Sequence, residues 1–234
     1  MEHRRPYPED PDLAALAGLL ADNTRASFCL ALLDGRAWTA AELARHAGVA
    51  ASTATGHLNL LVAGGLLAEQ RQGRHRYVRL ADAGAAELVE NLASMAPRRV
   101  VPPRSLSAAS RAAALARART CYDHLAGALG VSITTAMTDR GLLDWEHGLA
   151  LTAGGADWLA GLGIALPSAT RRPPVRSCLD WTERRPHLAG AAGAALCGHA
   201  FRSGWITRTG ASRAVTVTEA GRSALRDHLG LVPG

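Results

Sequence analysis

Residues 39–79 constrain the fold of this chain more than any other segment. Thr39 is followed three residues later by Glu42, a spacing typical of a capping box, in which both side chains satisfy free backbone amides at the start of a helix. Gly48 supplies a C-terminal stop after this short helix and permits a sharp turn. A second helix follows at once, and Gly64-Gly65 ends it. This order predicts two short helices that cross at a tight turn.

The second helix has an apolar side and a polar side without charge. Its apolar residues recur at helical spacing and are Ala51, Ala54, Leu58 and Leu61. The residues mostly outside this stripe are Ser52, Thr53, Thr55, Gly56 and Asn59. Hydroxyl and amide groups can hydrogen-bond to base edges, so this side is suited to the major groove of DNA. His57, beside the apolar Leu58, can contact a phosphate or form a structural bond to the turn.

A basic hairpin follows the second helix. Leu66-Leu67-Ala68 starts a strand, Gly73 marks a turn, and Tyr77-Val78-Arg79-Leu80 returns with alternating character. The segment 71–79 holds four arginines and no acidic residue, a composition that fits a wing lying against DNA phosphates. Two helices, a tight turn and a basic hairpin in this order predict a winged helix-turn-helix.

These segments resemble the ArsR-type winged-helix repressors. The resemblance covers roughly residues 12–95 and rests on the ordered set Leu16–Arg25, the helix pair, Ser52–Leu61, Gly65-Leu66-Leu67 and Gly73–Tyr77. It implies a homodimer in which the second helix and the wing of each subunit read a palindromic operator in double-stranded DNA. The predicted DNA-binding residues are Ser52, Thr53, Thr55, His57, Asn59, Arg71, Arg74, His75 and Arg76.

Charge and composition are consistent with a cytoplasmic protein. The formal net charge is +6, and all 26 of the Lys and Arg residues are arginines. Because the chain is also rich in alanine and glycine, this usage looks like a coding bias of a high-GC genome and says little about nucleic-acid binding. The N-terminal segment has no apolar signal core, and no apolar run reaches about 18 residues, so we expect no membrane partner. Four widely separated cysteines predict reduced thiols.

A proline-rich segment divides the chain. Residues 12–21 and 24–33 are predicted to form two apolar helices before the motif, and a helix from Asp82 to Met95 follows the wing. The apolar stripe of that last helix, suited to dimerisation, is Ala85, Leu88, Leu92 and Met95. The predicted domains are a DNA-binding and dimerisation domain (1–96), a linker (97–106) and an effector domain (107–234). A helix from Ser107 to about Leu129 is expected to join the two domains.

The second half of the chain contains an internal repeat. His124-Leu-Ala-Gly-Ala-Leu-Gly130 matches His187-Leu-Ala-Gly-Ala-Ala-Gly193 in all but one residue, and Gly141 matches Gly204 at the same offset. An order of helix, glycine, hairpin and capped helix is indicated in each repeat and also in the DNA-binding domain. We predict two reduced winged-helix-like repeats, at 124–164 and 187–231. The expected fold class is mainly α with small β-hairpin wings (α+β).

The second half is also the expected receiver of a regulatory signal. A repressor needs two states that a signal can bias, and a domain beyond the DNA-binding core can supply them. Indole rings suit both apolar cores and ligand pockets, and four of the five tryptophans lie in this half. The predicted effector-binding residues are Trp145, Trp158, Trp181 and Trp205.

Cysteine chemistry offers a different signal. Arginines lie near Cys121 and Cys178 in the sequence and can lower the pKa of a thiol, so both cysteines are candidate redox or electrophile sensors. Metal binding has little support, because Cys121 and His124 supply only two ligands at i and i+3 of a helix; we predict no metal site and no cofactor. Catalysis by Cys121, Asp123 and His124 is disfavoured because no oxyanion-forming glycine loop follows.

These features predict a sequence-specific DNA-binding transcriptional regulator and not an enzyme. We expect a repressor that a small-molecule effector, bound in the C-terminal domain, releases from its operator. A repressor that senses oxidants or electrophiles through its thiols is the alternative. A metal-sensing repressor and an architectural DNA-binding protein have less support from the sequence.

Overall fold

The computed structural model divides the chain into two compact units. It describes residues 10–73, 75–98, 105–166 and 172–232. The first unit is formed by residues 1–31 and 37–81, and the second by residues 32–36 and 82–234. Residues 99–104, within the predicted linker, lie outside the described residues, and the predicted domain boundaries remain a prediction. Among the described helices, none combines the length and the apolar character that a membrane crossing requires.

The first unit is a helix-turn-helix with a three-stranded antiparallel sheet. Its elements are α1 (Leu13–Leu20), α2 (Asn23–Leu32), β1 (Trp38–Thr39), α3 (Ala40–Ala47), α4 (Ala51–Ala63), β2 (Leu67–Gln72) and β3 (His75–Leu80). The strand order is β1-β3-β2. Thr39 and Glu42 form the predicted capping box at the start of α3, and Gly48 ends α3 in the left-handed conformation. The start and the end of α3 therefore lie where the sequence predicted them.

The second unit contains the same succession of elements twice. Its elements are α5 (Ala83–Met95), α6 (Leu106–Arg117), β4 (Arg119–Cys121), β5 (His124–Ala126), α7 (Gly127–Asp139), β6 (Leu143–Asp144), β7 (Ala150–Leu151), α8 (Ala153–Gly161), β8 (Arg176–Leu179), β9 (Pro186–Ala189), α9 (Gly190–Arg202), β10 (Ile206–Arg208), β11 (Val215–Val217) and α10 (Glu219–Leu229). Each consecutive strand pair is an antiparallel hairpin. Hairpin, helix, hairpin and helix thus run from β4 to α8 and again from β8 to α10. The predicted fold class, mainly helical with small hairpins, is confirmed.

One local design recurs three times along the chain. Gly65, Gly141 and Gly204 each follow a helix and have φ values of 75°, 66° and 68°, a conformation that glycine adopts without steric cost. A hairpin comes next in each case. The helix after each hairpin is capped by a side chain that accepts from the backbone amide three residues later; the caps are Asp82, Thr152 and Thr218. The predicted order of helix, glycine, hairpin and capped helix is confirmed.

The two repeats of the second unit share one apolar core. The first repeat contributes, among others, Leu125, Met137, Leu143 and Leu159, and the second contributes Leu188, Leu196, Ile206 and Leu225. Burying an aliphatic side chain of this size contributes about 1.5–3 kcal/mol. Because both repeats supply residues to the same core, each repeat buries part of its apolar surface against the other.

The helix that was predicted to join the two halves is shorter than expected. α6 ends at Arg117, whereas the sequence predicted a helix to about Leu129. The hairpin of β4 and β5 lies in between, and Tyr122 and Gly127 have positive φ values of 57° and 73°. A Cβ atom at Gly127 would lie 2.6 Å from the carbonyl oxygen of Ala116. The predicted continuous helix is therefore wrong, because this backbone turns back on itself.

Gly221 in α10 offers a test of the packing of the second repeat. A Cβ atom there would lie 2.0 Å from the carbonyl oxygen of Trp205. We expect Gly221→Ala to force a backbone shift and to lower the free energy of unfolding by roughly 1–3 kcal/mol, measured by urea unfolding. The control is Gly161→Ala in α8, where no atom lies within 4 Å of the added methyl group. Equal stability of the two variants would contradict the close approach at Gly221.

Candidate functional site

The helix α4 exposes most of the side chains that were predicted to read DNA. Its buried residues are Ala54, Leu58 and Leu61. Its exposed polar residues are Ser52, Thr53, Thr55 and Asn59, and His57 is half-buried. Ala51, which the spacing placed in the apolar stripe, is exposed because it is the first residue of the helix. α4 therefore presents hydroxyl and amide groups, without charge, on its outer face.

Two of these side chains also make contacts within the first unit. The Thr55 hydroxyl donates to the carbonyl oxygen of Ala51 at 2.9 Å, and its oxygen can still accept a bond. The His57 Nδ1 atom lies 3.4 Å from Nη1 of Arg25 and 3.8 Å from Oδ1 of Asp22. The backbone amide of Arg25 and the nearby His57 lower the pKa of Asp22. His57 thus contacts the turn before α2, and its phosphate contact remains a prediction.

The wing is the hairpin of β2 and β3. Gln72 pairs with His75, and Gly73 in the turn has a φ of 57°, the left-handed conformation that tight hairpins favour. Arg71 and His75 are exposed near the turn, as contact with phosphates requires. Arg74, another predicted DNA contact, lies outside the described residues.

Arg76 joins the wing to the outer face of α4. Its Nη1 atom donates to Oδ1 of Asn59 at 2.8 Å, and its Nη2 atom lies 2.6 Å from Oε2 of Glu69 in β2. The sequence predicted Arg76 and Asn59 as DNA contacts but did not predict that they bind each other. Charge-assisted hydrogen bonds of this kind have defined geometry, so the bridge orients the wing relative to α4.

Gly56 leaves a gap on the exposed face of α4. No atom lies within 4 Å of the Cβ that another residue would add there. Packing within the chain therefore does not explain a glycine that costs about 1 kcal/mol relative to alanine in a helix. A missing side chain does allow another backbone to approach closely.

Two of the four tryptophans predicted to bind an effector border the same small cavity, and the other two contact polar or charged groups of the protein. Trp158 and Trp205 border a cavity of about 10 Å³, which holds at most one water molecule. Trp145 donates to a threonine hydroxyl at 3.0 Å. The ring of Trp181 faces Arg119, whose Cζ lies 4.8 Å from the ring centroid. Effector binding by these residues remains a prediction.

A larger cavity lies beside α6, α7 and β11 in the second unit. Its volume is about 440 Å³, within the range of roughly 300–1,000 Å³ that small-molecule sites occupy. Its apolar lining includes Ala118, Leu129, Val215, Val217 and Leu231, and its charged lining is Arg117 and Arg222. An apolar cavity with a few charged groups is suited to a small organic molecule.

The structure also brings together four side chains that the sequence interpretation kept apart. Cys121 pairs with His124 across β4 and β5, and Cys178 pairs with His187 across β8 and β9. All four are buried, and their ligand atoms lie within 4.8 Å of one another. The sequence interpretation counted only Cys121 and His124 and placed them on a helix. That placement is wrong, because the two residues face each other in a hairpin.

Imidazole nitrogens in this cluster lack hydrogen-bond partners among the described residues. They are Nε2 of His124 and both ring nitrogens of His187. Nδ1 of His124 lies 3.1 Å from Oδ1 of Asp123. Nδ1 of His187 lies 3.4 Å from Oδ2 of Asp180, without hydrogen-bond geometry. A buried polar group without a partner costs about 1–3 kcal/mol, so the cluster favours a further ligand.

The two thiols of the cluster are not equivalent. Their Sγ atoms are 4.0 Å apart. The hydrogen bond with Cys121 lowers the pKa of Cys178 against the effect of burial, and the two nearby imidazoles act in the same direction. The same bond, together with burial, raises the pKa of Cys121, which also donates to Oε2 of Glu90 in α5 at 2.7 Å. The main influences on the pKa of the two thiols are thus the cluster, burial and, for Cys121, Glu90, and not the arginines nearby in sequence.

The sequence does carry a signal for this cluster. Arg119-Thr-Cys-Tyr-Asp123 and Arg176-Ser-Cys-Leu-Asp180 share the pattern Arg-x-Cys-x-Asp at an offset of 57 residues. The histidines that follow are offset by 63 residues, because the loop after Cys178 is longer. No single offset therefore relates both the cysteines and the histidines of the two repeats.

Comparison with known proteins gives the family. Residues 20–70 match the helix-turn-helix domain family. The chain is 40% identical over 223 residues to the uncharacterized HTH-type transcriptional regulator YdfF of Bacillus subtilis (strain 168), a match that covers 94% of this chain and 98% of that protein. This chain belongs to the HTH-type transcriptional regulators. Because the match spans nearly the whole length, the second unit is part of what the two regulators share.

Two solved structures are similar to part of the regulator. One is the homodimeric winged helix-turn-helix DNA-binding domain of a possible ArsR-family regulator from Mycobacterium bovis, with 26% identity, 34% of this chain and 73% of that chain covered, and a TM-score of 0.33. The other is the cadmium metal-sensor CMTR from Mycobacterium tuberculosis, with 32% identity, 40% and 99% covered, and a TM-score of 0.32. The helix-turn-helix regulator that the sequence predicted is confirmed.

Gly56→Ala should separate folding from DNA binding in the regulator. The added methyl group meets no atom of the chain, so the free energy of unfolding should rise by up to about 1 kcal/mol. We expect DNA affinity to fall by about tenfold, which corresponds to roughly 1.4 kcal/mol of steric conflict with the duplex. Fluorescence anisotropy and urea unfolding measure the two effects, with Gly161→Ala in α8 as the control, since no atom lies within 4 Å of the added methyl group there either. A more stable variant with unchanged DNA affinity would place Gly56 outside the interface.

Proposed function

We propose that the regulator is a repressor that binds a palindromic operator as a homodimer. The observation that carries this proposal is the uncharged, exposed face of α4 with the basic wing attached to it through Arg76. In this class of fold the second helix enters the major groove, and a dimer places two such helices roughly 34 Å apart. Ser52, Thr53 and Thr55 are proposed to read base edges, and Arg71 and His75 to contact phosphates.

Uncovered apolar side chains support homodimerisation. No residue of α1 in the first unit is buried within the chain, and its Leu13 is 72% exposed. In α5 of the second unit, Leu92 and Met95 are 45% and 76% exposed. Apolar groups arranged along a helix in this way are typical of interaction surfaces. We propose that a second copy of the chain covers each of these helices.

A small-molecule effector in the second unit is proposed to release the repressor from DNA. The cavity of about 440 Å³ beside α6 and α7 supports this proposal, because it is large enough for a metabolite-sized ligand. A ligand shifts the equilibrium between two states only if it binds one of them better. The proposed effector therefore prefers the conformation with low operator affinity.

A thiol response is the second candidate, favoured by the proximity of Cys121 and Cys178. Their sulfur atoms are 4.0 Å apart and must approach to about 2.05 Å to form a disulfide. The reaction takes two electrons and two protons from the thiols and transfers them to a peroxide, whose O–O bond is cleaved. It would also remove the hydrogen bond that Cys121 donates to Glu90.

Salt dependence of DNA binding tests the division of roles between wing and helix. Arg71→Ala should weaken binding to all sequences and reduce the slope of log K against log salt by about 0.9 per lost phosphate contact. Thr53→Ala should leave that slope unchanged and lower discrimination at one base pair, by roughly 1–3 kcal/mol at most. Binding is measured with operator sequences selected by the wild-type regulator from a random DNA library.

The matched control for the wing is Arg226→Ala, an exposed arginine on α10. It removes the same charge from the second unit and should leave the salt slope unaltered. A normal slope in Arg71→Ala, or a uniform loss of affinity in Thr53→Ala, would contradict the proposed roles.

Charge on the exposed side of α5 tests the proposed dimer. Leu92→Glu places a carboxylate in the apolar surface, so the regulator should become monomeric in light scattering and lose cooperative binding to paired half-sites. Asn91→Glu is the control, because it adds the same charge at the neighbouring exposed position. A dimeric Leu92→Glu protein with normal operator affinity would show that the chains associate elsewhere.

A further inference from the structure

We propose that Cys121, His124, Cys178 and His187 bind one thiophilic divalent metal ion of the zinc class. The four residues are buried, and their ligand atoms lie within 4.8 Å of one another. Each structural repeat contributes one cysteine and one histidine. The ion therefore joins the β4–β5 hairpin to the β8–β9 hairpin inside the second unit.

The spacing of the sulfur atoms fits tetrahedral coordination. Zn–S bonds of about 2.3 Å place two sulfur ligands about 3.8 Å apart across a tetrahedron, and the Sγ atoms of Cys121 and Cys178 are 4.0 Å apart. The same distance is about twice that of a disulfide bond. A disulfide also leaves the two histidines, whose ring centroids are 5.1 Å apart, without a role.

One ring nitrogen of each histidine is available to bind the same ion. Nε2 of His124 and Nε2 of His187 are buried and have no hydrogen-bond partner among the described residues. The opposite ring nitrogens face carboxylates, Asp123 at 3.1 Å and Asp180 at 3.4 Å. A carboxylate behind a metal-binding histidine fixes its ring orientation and raises its basicity. His124 therefore has Nδ1 bound by a carboxylate, His187 has Nδ1 close to one, and each keeps Nε2 for a metal.

The carboxylates behind the histidines are held by arginines and do not compete for the metal. Arg172 binds both oxygens of Asp123. Arg119 binds Asp180, with an N–O distance of 2.9 Å. Their negative charges are thus already balanced, and the two thiolates remain to balance a dication.

The ligand set defines the class of ion. Two thiolates and two imidazoles favour zinc and its thiophilic relatives, whereas magnesium and calcium prefer oxygen ligands. Four protein ligands also close the coordination shell, which is typical of sites that stabilise or switch structure and not of catalytic sites with an open position.

Repetition in the sequence supports the proposal that the four ligands bind one ion together. The pattern Arg-x-Cys-x-Asp and the segment His-Leu-Ala-Gly both occur in each repeat, so each ligand has its counterpart. The surrounding packing is repeated too. A Cβ atom at Gly193 would lie 3.3 Å from Cβ of His124, and one at Gly130 would lie 3.6 Å from Cβ of His187. Each histidine thus packs against a glycine in the helix of the other repeat.

Metal binding would be transmitted to α5 through Glu90, a consequence that rests on the proposed repressor function. The Cys121 thiol donates a hydrogen bond to one carboxylate oxygen of Glu90. The other oxygen of Glu90 binds Arg213 at 2.8 Å. Coordination releases the thiol proton to solvent and leaves a metal-bound thiolate beside the carboxylate. Glu90 then loses its donor. α5 begins three residues after the wing strand ends, so a change at Glu90 acts on the helix that follows the wing.

Cobalt titration of the reduced full-length regulator tests the site directly. Apo-protein prepared with a chelator and a reductant should bind one Co²⁺ per chain, with the intense visible absorption of tetrahedral coordination and a thiolate-to-metal band in the near ultraviolet. Zinc should displace the cobalt at a ratio of one to one. Weak octahedral absorption, or no stoichiometric binding by the reduced wild-type protein, would overturn the proposal without the need for any variant.

Variants then assign the ligands. Cys178→Ser and His187→Ala should each lower the affinity for cobalt by more than about a hundredfold, whereas Cys197→Ser, which removes a buried cysteine outside the cluster, should leave it unchanged. Asp123→Asn should keep the tetrahedral spectrum and lower affinity by about 10–100-fold, as expected of a positioning residue behind a ligand. Full binding by a Cys178→Ser, His187→Ala double variant would overturn the assignment.

Operator binding with and without zinc tests the link to Glu90 separately. We expect the operator affinity of the wild-type regulator to differ by at least about fivefold between the apo and zinc forms, and the difference to vanish in Glu90→Gln, which still binds one cobalt ion. Equal affinities would overturn the link and leave the metal site established by its spectrum. Failure to bind any operator would instead count against the proposed function and not against the metal site.

Discussion

The buried carboxylate of Asp180 holds the two repeats of the second unit in register. It accepts from Nη2 of Arg119 at 2.9 Å and from the backbone amide of Gly127 at 2.7 Å, both in the first repeat. Burial alone raises the pKa of this group, but the charge of Arg119 and hydrogen bonds from Thr182 and backbone amides lower it to about 2. A buried ion pair is favourable only when its remaining hydrogen-bonding capacity is satisfied. The carboxylate of Asp180 meets that condition, whereas Nε of Arg119 has no hydrogen-bond partner among the described residues.

The first unit was predictable because its signals are local. Thr39, Glu42 and Gly48 define α3 within ten residues, and the spacing of apolar residues identifies the buried side of α4. The bridge from Arg76 to Asn59 was not predictable, since it depends on how the hairpin twists towards the helix. Sequence patterns thus identify the buried and exposed sides of α4, while the pairing of side chains on the exposed side depends on three-dimensional packing.

The second unit was predicted in outline but not in detail. Its repeats were visible in the sequence. The predicted helix of α6 extended too far because alanine and arginine favour a helix locally. The turn at Gly127 that follows α6 depends on a hydrogen bond to Asp180, more than fifty residues away in the sequence. The cluster of Cys121, His124, Cys178 and His187 was not predicted, for the same reason. Neither hairpin contains enough ligands to indicate a site, and only the packing of one repeat on the other brings four together.

The separation of charge between α4 and the wing has a consequence for how the regulator searches a genome. In the proposed division of roles, side chains without charge on α4 discriminate between base pairs through short-range hydrogen bonds, which ionic strength scarcely affects. The arginines of the wing are proposed to bind any DNA, with an affinity that falls as salt rises. A rise in intracellular salt would therefore shorten each visit to a random site and to the operator by similar factors. The ratio between the two residence times, which determines how often the correct site is occupied among its competitors, would remain nearly constant.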